Sequence, residues 1–429
     1  MFRPALRILL INDNSAHLNW GAQATVYALR SMLADEFPSL EIDAVPHAWL
    51  RRQYRETRLP YDTRGKYWPG GQSWLGRRIL HRLSVPVDLF PAIFDDFEYF
   101  ADLWLEGRAG PEAAKFLAAA RSADAVVYNG ENSIYRNTLE GCRALFLLWL
   151  VKTRLAKPSA IINHTAHLDD VQPRMPAMVA HVFPILDVVT CRESCSFRQI
   201  AAMNLPNAEL VPDAVFYLGD RNTEEPAFRV WSARTGLMRE PYFCVSGSAL
   251  PASEPRGRWD GRFAELVRGL RSAGGRPVLV AKDPDCLYLE EVAKRTGGIF
   301  FGPSHTFHEL WPLFRGATFV VSGHYHYVII AALTGCPFIP LSANNRKMKG
   351  VCTHLEWPRT EPFDITDLGS CEKQIKIEAG ALARDRSALS AKLRLRSEQL
   401  TREAARNATL IRGMLRRTAE SGALEAEPE

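Results

Sequence analysis

Along this chain, short apolar runs alternate with longer stretches of helical apolar spacing, and most of the short runs end in a cluster of polar residues. That pattern predicts strand, loop and helix repeating in order. The first run, within MFRPALRILLIND, stops at Asn12-Asp13. A polar loop with Asn19, Trp20 and Gly21 comes next, then a helix through Thr25, Leu29 and Leu33. Gly21 either suits a close backbone approach at the helix start or belongs with Asn19 to a capping turn. A second strand covers Glu41 to Val45. Further strands cover Asp124 to Tyr128, ending in Asn129-Gly130-Glu131-Asn132; Ser159 to Asn163, ending in His164-Thr-Ala-His167; and Leu186 to Thr190, ending in Cys191-Arg192-Glu193-Ser194. Helices are expected at Pro111 to Arg121, over the Leu-rich residues 139 to 154, and through Phe197, Ile200 and Ala201 before Leu210-Val211-Pro212-Asp213.

Residues 220 to 240 are polar, carry Pro226 and read as a linker. A second alternating half begins after it, with strands at Tyr242 to Ser246, Pro277 to Val280 and Ile299 to Phe301, and helices at Phe263 to Leu270 and Phe307 to Phe314. Its most informative stretch is TFVVSGHYHYVIIAALTGCPFIPLSANNRK, residues 318 to 347. Phe319-Val320-Val321 reads as a buried strand, Ser322-Gly323 as a tight turn, Val328 to Leu333 as a helix stopped by Gly335, and Phe338 to Leu341 as the next strand. His324, Tyr325 and His326 then fall on the first helical turn, where unpaired N–H groups and the helix dipole favour an anion.

Regular alternation predicts parallel sheets with right-handed crossovers, and ligands then bind outside the carboxyl ends of the strands. Asn19, Gly130 to Asn132, His164, His167 and Arg192 all fall at such ends. The expected fold is α/β, with two doubly wound, Rossmann-like domains facing a cleft. Residues 1–222 form the acceptor side and residues 223–370 the donor side. Residues 371–429 form helices that pack back over the domains with a basic outer face (Arg384, Arg386, Lys392, Arg394, Arg396) and end in a frayed tail.

Composition narrows the classes. A chain of 429 residues is too long for one ordinary core, and 24% charged with 47% hydrophobic residues is the balance of a globular protein. A net charge of +5 does not imply a dedicated nucleic-acid binder. The eight cysteines are scattered without a CxxC pair, which reads as free thiols in a reducing compartment. The apolar cores at the N-terminus and at Ala144 to Val151 are too short for a signal peptide or a membrane span, so the expected location is cytoplasmic. The segment 49–82 departs from the pattern. Its Lys and Arg residues far outnumber Glu56 and Asp62, and Trp49, Tyr54, Tyr61, Tyr67, Trp68 and Trp74 are interleaved with them. Such an insertion either packs its aromatics back on the domain or meets an anionic glycan, a nucleic acid or an anionic lipid surface, the last placing the protein at the inner face of the membrane.

NWGAQATVYAL near the N-terminus, DVVTCRESCSFRQI with ELVPDAVF, and VVSGHYHYVIIAALTGCPFIPLSANNRKMKG occur in an order that resembles the polysaccharide pyruvyl transferase family. The resemblance implies a fold like that of the GT-B glycosyltransferases, phosphoenolpyruvate as donor, and a pair of sugar hydroxyls on a polysaccharide or lipid-linked glycan as acceptor, joined as a pyruvate ketal. Arg192 matches the family's donor-binding Arg, and His326 matches the His of its helix-start motif. His324 stands where the family has Arg. A guanidinium is always charged and grips an oxyanion through two bonds, whereas an imidazole is partly charged near neutral pH and makes one. Asn129-Gly130-Glu131-Asn132 also departs from the family's Gly-rich turn.

The residue chemistry fits that reaction. A donor carrying phosphate and carboxylate calls for cations and helix-start N–H groups, which Arg192, His324, Ser322 and Gly323 supply, with Lys347 to balance the leaving phosphate. Protonation of the enol carbon needs an acid, either His326 or, from the first half, His164 or His167. Glu131 suits the base that takes a proton from the sugar. Asn19, Gly21, Asn132 and His167 belong to the acceptor side or the cleft. No cofactor beyond the donor is expected. His164-x-x-His167 and His324-x-His326 could converge with Asp169 or Asp170 on a metal, but no HExxH or Cys-rich pattern supports one, and none is expected. Two other functions keep the same architecture, a glycosyltransferase using a nucleotide sugar and a non-catalytic glycan binder. In a third reading, His324 and His326 simply cap a helix.

Overall fold

The computed structural model describes residues 5–51, 90–131, 134, 138–168, 174–220, 225–248, 256–281, 286–342 and 346–424. Most of the basic aromatic insertion, together with Asn132, Asp169 and Asp170, lies outside the described residues.

Two parallel sheets carry the chain. The first contains β1 (Leu6–Asp13), β2 (Leu40–Pro46), β3 (Ala125–Asn129), β4 (Ser159–His164), β5 (Val188–Cys191) and β6 (Ala208–Leu210) in the order β2-β1-β3-β4-β5-β6. The second contains β7 (Tyr242–Gly247), β8 (Arg276–Val280), β9 (Ile299–Phe301), β10 (Val320–Ser322) and β11 (Phe338–Pro340) in the order β11-β10-β7-β8-β9. β3, β7 and β10 are buried along their whole length, as expected of parallel strands covered by helices on both faces. Each sheet starts at an inner strand and winds outward both ways. Strand order therefore reverses between β1 and β3 and again between β7 and β10, the two places where such folds open a crevice.

At the carboxyl edges several strands slip register. β1 shifts between Ile11 and Asp13 and β4 between Ile161 and His164, and the residues spanned include Asn12 and Asn163, with φ of 67° and 57°. Asparagine tolerates this left-handed region, and the extra residue of a bulge re-aims the side chains beyond it. The Asn12 side chain donates to Asn129 O at 2.6 Å and accepts the His47 ring at 2.7 Å, tying β1 to β3. The second sheet slips between Val321 and Ser322, opposite Gly247 with φ 64°.

The helices that frame the site are α1 (Trp20–Glu36), α2 (Leu139–Thr153), α3 (Ser194–Ala201), α4 (Leu310–Gly316), α5 (Tyr325–Leu333) and α6 (Lys347–His354). Three more close the chain, α7 (Leu368–Arg384), α8 (Arg386–Ala404) and α9 (Arg406–Leu424). Leu145 to Leu148, Leu150 and Val151 of α2 have no exposed surface, so this helix is apolar all round because it is buried all round. Each such side chain contributes about 1.5–3 kcal/mol. Gly335, φ 71°, ends α5: its N–H and that of Cys336 turn back onto Ala332 O and Ala331 O.

Two expectations change here. The supposed linker holds a helix, Pro226–Thr235, and a 3-10 turn, Leu237–Arg239. Pro226 opens the helix where its missing N–H costs nothing, and Phe228 and Trp231, one turn apart, bury its inner face. The basic outer face of the terminal helices is also only partly realised, since Arg384 and Lys392 are exposed while three arginines of α8 turn inward. Arg386 donates to Arg315 O and Ala317 O at the end of α4, Arg394 to Thr334 O at the end of α5, and Arg396 to His354 O at the end of α6. The last carbonyls of a helix lack partners and carry its negative dipole end, so a guanidinium there satisfies both. α9 then reaches the first sheet, where Thr190 Oγ1 donates to Asn407 Oδ1 at 2.6 Å.

Candidate active site

The turn from β10 into α5 is held from several sides. Gly323 N donates to Gly247 O at 2.6 Å, His324 N donates to Ser322 Oγ at 2.9 Å, and Ser322 Oγ pairs with Ser246 Oγ at 2.7 Å. A β-carbon on Gly323 would lie 2.3 Å from Ser248 Cβ, so the close approach of β7 and β10 requires glycine. His324 is the N-cap, in extended backbone, and Tyr325 and His326 are the first helical residues.

His326 projects from the second sheet's crevice into the crevice of the first. Its Nε2 lies 3.1 Å from Thr25 Oγ1 on α1 and 3.3 Å from Arg192 Nη1 at the end of β5. Oε1 of Glu131, after β3, and Oδ2 of Asp213, after β6, are each 3.6 Å from the same nitrogen. Arg192 is buried. It donates through Nη1 to Asp213 Oδ2 at 2.8 Å and through Nε to Thr165 Oγ1 at 2.6 Å, and its guanidinium carbon sits 4.7 Å from the centre of the Tyr325 ring. Its Nη2 is buried with no hydrogen-bond partner among the described residues. Burial alone would raise the Asp213 carboxyl, but the Arg192 charge, with His326 and the Val215 N–H, holds it far below the ordinary range. Burial lifts the Tyr325 phenol well above its usual value, and the Asp213 charge acts the same way. The cluster thus brings two carboxylates, an imidazole and a guanidinium together across the seam between the sheets. His326 Nε2 has a donor in Arg192 and acceptors in Thr25 and the carboxylates within reach, an arrangement suited to moving a proton.

Glu131, Arg192 and His326, read from the sequence as site residues, therefore meet. Gly21 lies against the His326 ring, and Asn19 caps α1, its Oδ1 accepting from Gly21 N at 2.9 Å. Lys347 Nζ lies 6.0 Å from the centre of the Tyr325 ring, on the border of the cluster. His164 sits behind it, fully buried, with Nδ1 3.3 Å from Gly130 O and Nε2 unpartnered among the described residues. Burial, reinforced by the Arg192 charge and opposed by the Gly130 bond, pushes its pKa down to about 4. His167 lies further along the same loop at the edge of burial. His324 does not join His326; its Nε2 turns to Cys286 Sγ at 3.5 Å.

Thr25, Thr165, Asp213 and Tyr325 belong to the cluster, yet the sequence pattern gave them no role. Asp213 was detectable, as a carboxylate closing an apolar run; Thr25 and Thr165 look like ordinary helix and loop residues until the fold places them. Beside the cluster, Glu193 caps α3 through the N–H groups of Cys195 and Ser196, and a β-carbon on Gly350 of α6 would lie 2.5 Å from Glu193 Oε2. Trp20 of α1 stacks on Tyr327 and meets Phe301 edge-on. Among the described residues no group of three or more His, Cys, Asp or Glu is placed to hold a metal ion, and no helix is long and apolar enough to cross a membrane.

Two doubly wound domains whose switch points meet at one polar cluster define an α/β enzyme of GT-B-like architecture. A Listeria monocytogenes protein proposed to be a UDP-N-acetylglucosamine 2-epimerase has this fold, with a TM-score of 0.52 and 12% identity over 91% of this chain and 91% of that one. So does Staphylococcus aureus MnaA in its co-structure with UDP, at TM-score 0.51 and 11% identity over 92% of this chain and 94% of the other. No curated protein matches the chain in sequence. The family model for polysaccharide pyruvyl transferase matches residues 19–345, well over half of its length, and the chain belongs to that family of enzymes.

Proposed function

We propose that this enzyme transfers the enolpyruvyl carbons of phosphoenolpyruvate to two hydroxyls of one sugar in a polysaccharide or lipid-linked glycan, forming a pyruvate ketal and releasing phosphate, with no further cofactor. The observation that carries this reading is the meeting of His326 and Glu131 at 3.6 Å from opposite domains, inside a chain of this family. The donor lies against the start of α5, where N–H groups without intrahelical acceptors and the helix dipole face its anionic groups. Lys347 adds positive charge there, the His324 ring offers a hydrogen-bonding edge, and the outstanding donor of Arg192, Nη2, completes the grip on one oxygen. His326 delivers a proton to the enol carbon. Glu131 takes a proton from the attacking hydroxyl, and the carbon–oxygen bond to phosphate breaks as the second hydroxyl closes the ketal, its proton leaving with the phosphate. The acceptor lies on the first-domain side, along the loops after β1, β3 and β4. If the acceptor is lipid-linked, the basic aromatic segment 49–82 brings the enzyme to the inner membrane surface.

The test is phosphate release from phosphoenolpyruvate in the presence of acceptor glycans, with mass spectrometry of the product. Turnover is expected to fall by about 10²–10⁴ in His326→Ala and in Glu131→Gln, the range for losing a general acid or base. Full turnover in His326→Ala would remove it from the acid role. Thermal stabilisation by a nucleotide sugar, with none by phosphoenolpyruvate, would overturn the donor assignment.

A further inference from the structure

We propose that Cys286 is a positioning residue of the donor half-site, its thiol holding the His324 ring through Nε2 and so setting which nitrogen and which edge that ring offers the donor. This rests on the reading of His324 as a donor-binding residue. Cys286 comes after β8 and His324 after β10, so the two belong to different loops on one carboxyl edge, with β7 between their strands. The sulfur lies 3.5 Å from Nε2, and the residues are 2% and 7% exposed, so water does not compete for the contact. The His324 backbone is fixed independently, by Ser322 Oγ and the Ser246–Ser322 pair. What remains to be set is the rotation and tautomer of the ring. Tyr327 meets the ring edge-on, with centroids 5.4 Å apart and planes at 70°, and Cys286 meets its Nε2. A partner on one imidazole nitrogen decides whether that atom is donor or acceptor, and thereby the role of the other. Other cysteines are used differently. Cys336 Sγ bonds to the carbonyls of Ala317 and Pro337, and Cys142 Sγ accepts from Arg174.

The experiment combines kinetics with nitrogen-15 NMR of the His324 ring. Cys286→Ala is expected to raise KM for phosphoenolpyruvate about fivefold, the ratio that one hydrogen bond of about 1 kcal/mol corresponds to, while kcat changes by less than about twofold. Cys286→Ser, which keeps a small donor and acceptor in place, is expected to restore most of that loss. In a His324→Gln background the Cys286→Ala change is expected to move KM by less than about twofold, because the group it positions is gone. A packing role alone would act equally in both backgrounds, and that result, or an unchanged KM, overturns the proposal. The NMR arm needs no turnover: the His324 ring nitrogens are expected to shift between wild type and Cys286→Ala, which removes the thiol contact. Identical ring spectra overturn the proposal even if phosphoenolpyruvate proves not to be the donor, whereas a shifted spectrum without turnover counts against the donor reading alone.

Discussion

Gly21 on α1 and His326 on α5, from opposite domains, touch so closely that a β-carbon at position 21 would lie 2.2 Å from the ring's Nδ1. The glycine is what allows the imidazole to sit under the start of α1 and reach Thr25. Gly21→Ala is expected to push the ring out of line with Glu131 and Asp213 and to lower kcat by roughly 100-fold, the penalty for misplacing a reacting group by about 1 Å. Overpacking at the seam costs about 1–3 kcal/mol, so the protein should still fold. Steady-state kinetics beside a melting curve separates the two effects, and an unchanged kcat would show that the ring's position is not critical.

Asp213 is the charge partner of Arg192, and both side chains are fully buried. Asp213→Ala takes from a buried guanidinium its nearest counter-charge, leaving Glu131 at 4.0 Å, and is expected to destabilise the fold by about 3 kcal/mol. Adding Arg192→Met should recover much of this, because the pair then leaves together. Urea denaturation of both variants checks the prediction, and an additive loss in the double variant would contradict it.

Two buried histidines are expected to make stability depend on pH. Burial pushes His164 and His354 down to about 4, with the charges of Arg192 and Arg396 respectively acting in the same direction. In the unfolded chain both titrate near 6.5, so between these values the unfolded state binds more protons. Their contribution is complete above pH 6.5 and is lost as the pH falls towards 4. The loss is on the order of 3 kcal/mol per group. Replacing both by Gln should flatten the unfolding free energy over that window, and a slope as steep as in the wild type would rule them out as its cause.

The α8 arginines are expected to act as caps for other helices. Arg386→Ala and Arg394→Ala should each cost about 1–2 kcal/mol, since each leaves terminal carbonyls without a donor. Lys392→Ala, on the exposed side of the same helix, should stay within about 0.5 kcal/mol. Comparable losses at all three positions would mean that surface charge, not capping, is responsible.

Much of the fold was legible because it depends on short-range pattern. The apolar runs marked β1, β3, β4, β5, β7 and β10, and Gly335 marked the end of α5, since local sterics and burial decide these features. Residues 226–239 were missed because a short amphipathic helix with two apolar anchors looks like a polar loop. The arginines of α8 looked like a solvated face because nothing local shows that three helix ends lie beneath them.

The site divides the same way. Glu131, Arg192 and His326 could be nominated from the sequence because each ends a strand or opens a helix, and parallel topology sends all such ends to one edge. The sequence by itself therefore determined the elements, their order and the polar residues at their carboxyl ends. Only the tertiary structure decided the pairings, joining His326 to Thr25, Asp213 to Arg192, and His324 to Cys286 rather than to His326. Those contacts join residues on different elements, from 21 positions apart for Arg192 and Asp213 to 301 for Thr25 and His326, and no local periodicity encodes such a partner. The contact of His326 with Thr25 is fixed by how two independently wound sheets meet, through the packing of Gly21, Trp20 and Gly350 along their seam, and the other two by the order of strands within a single sheet.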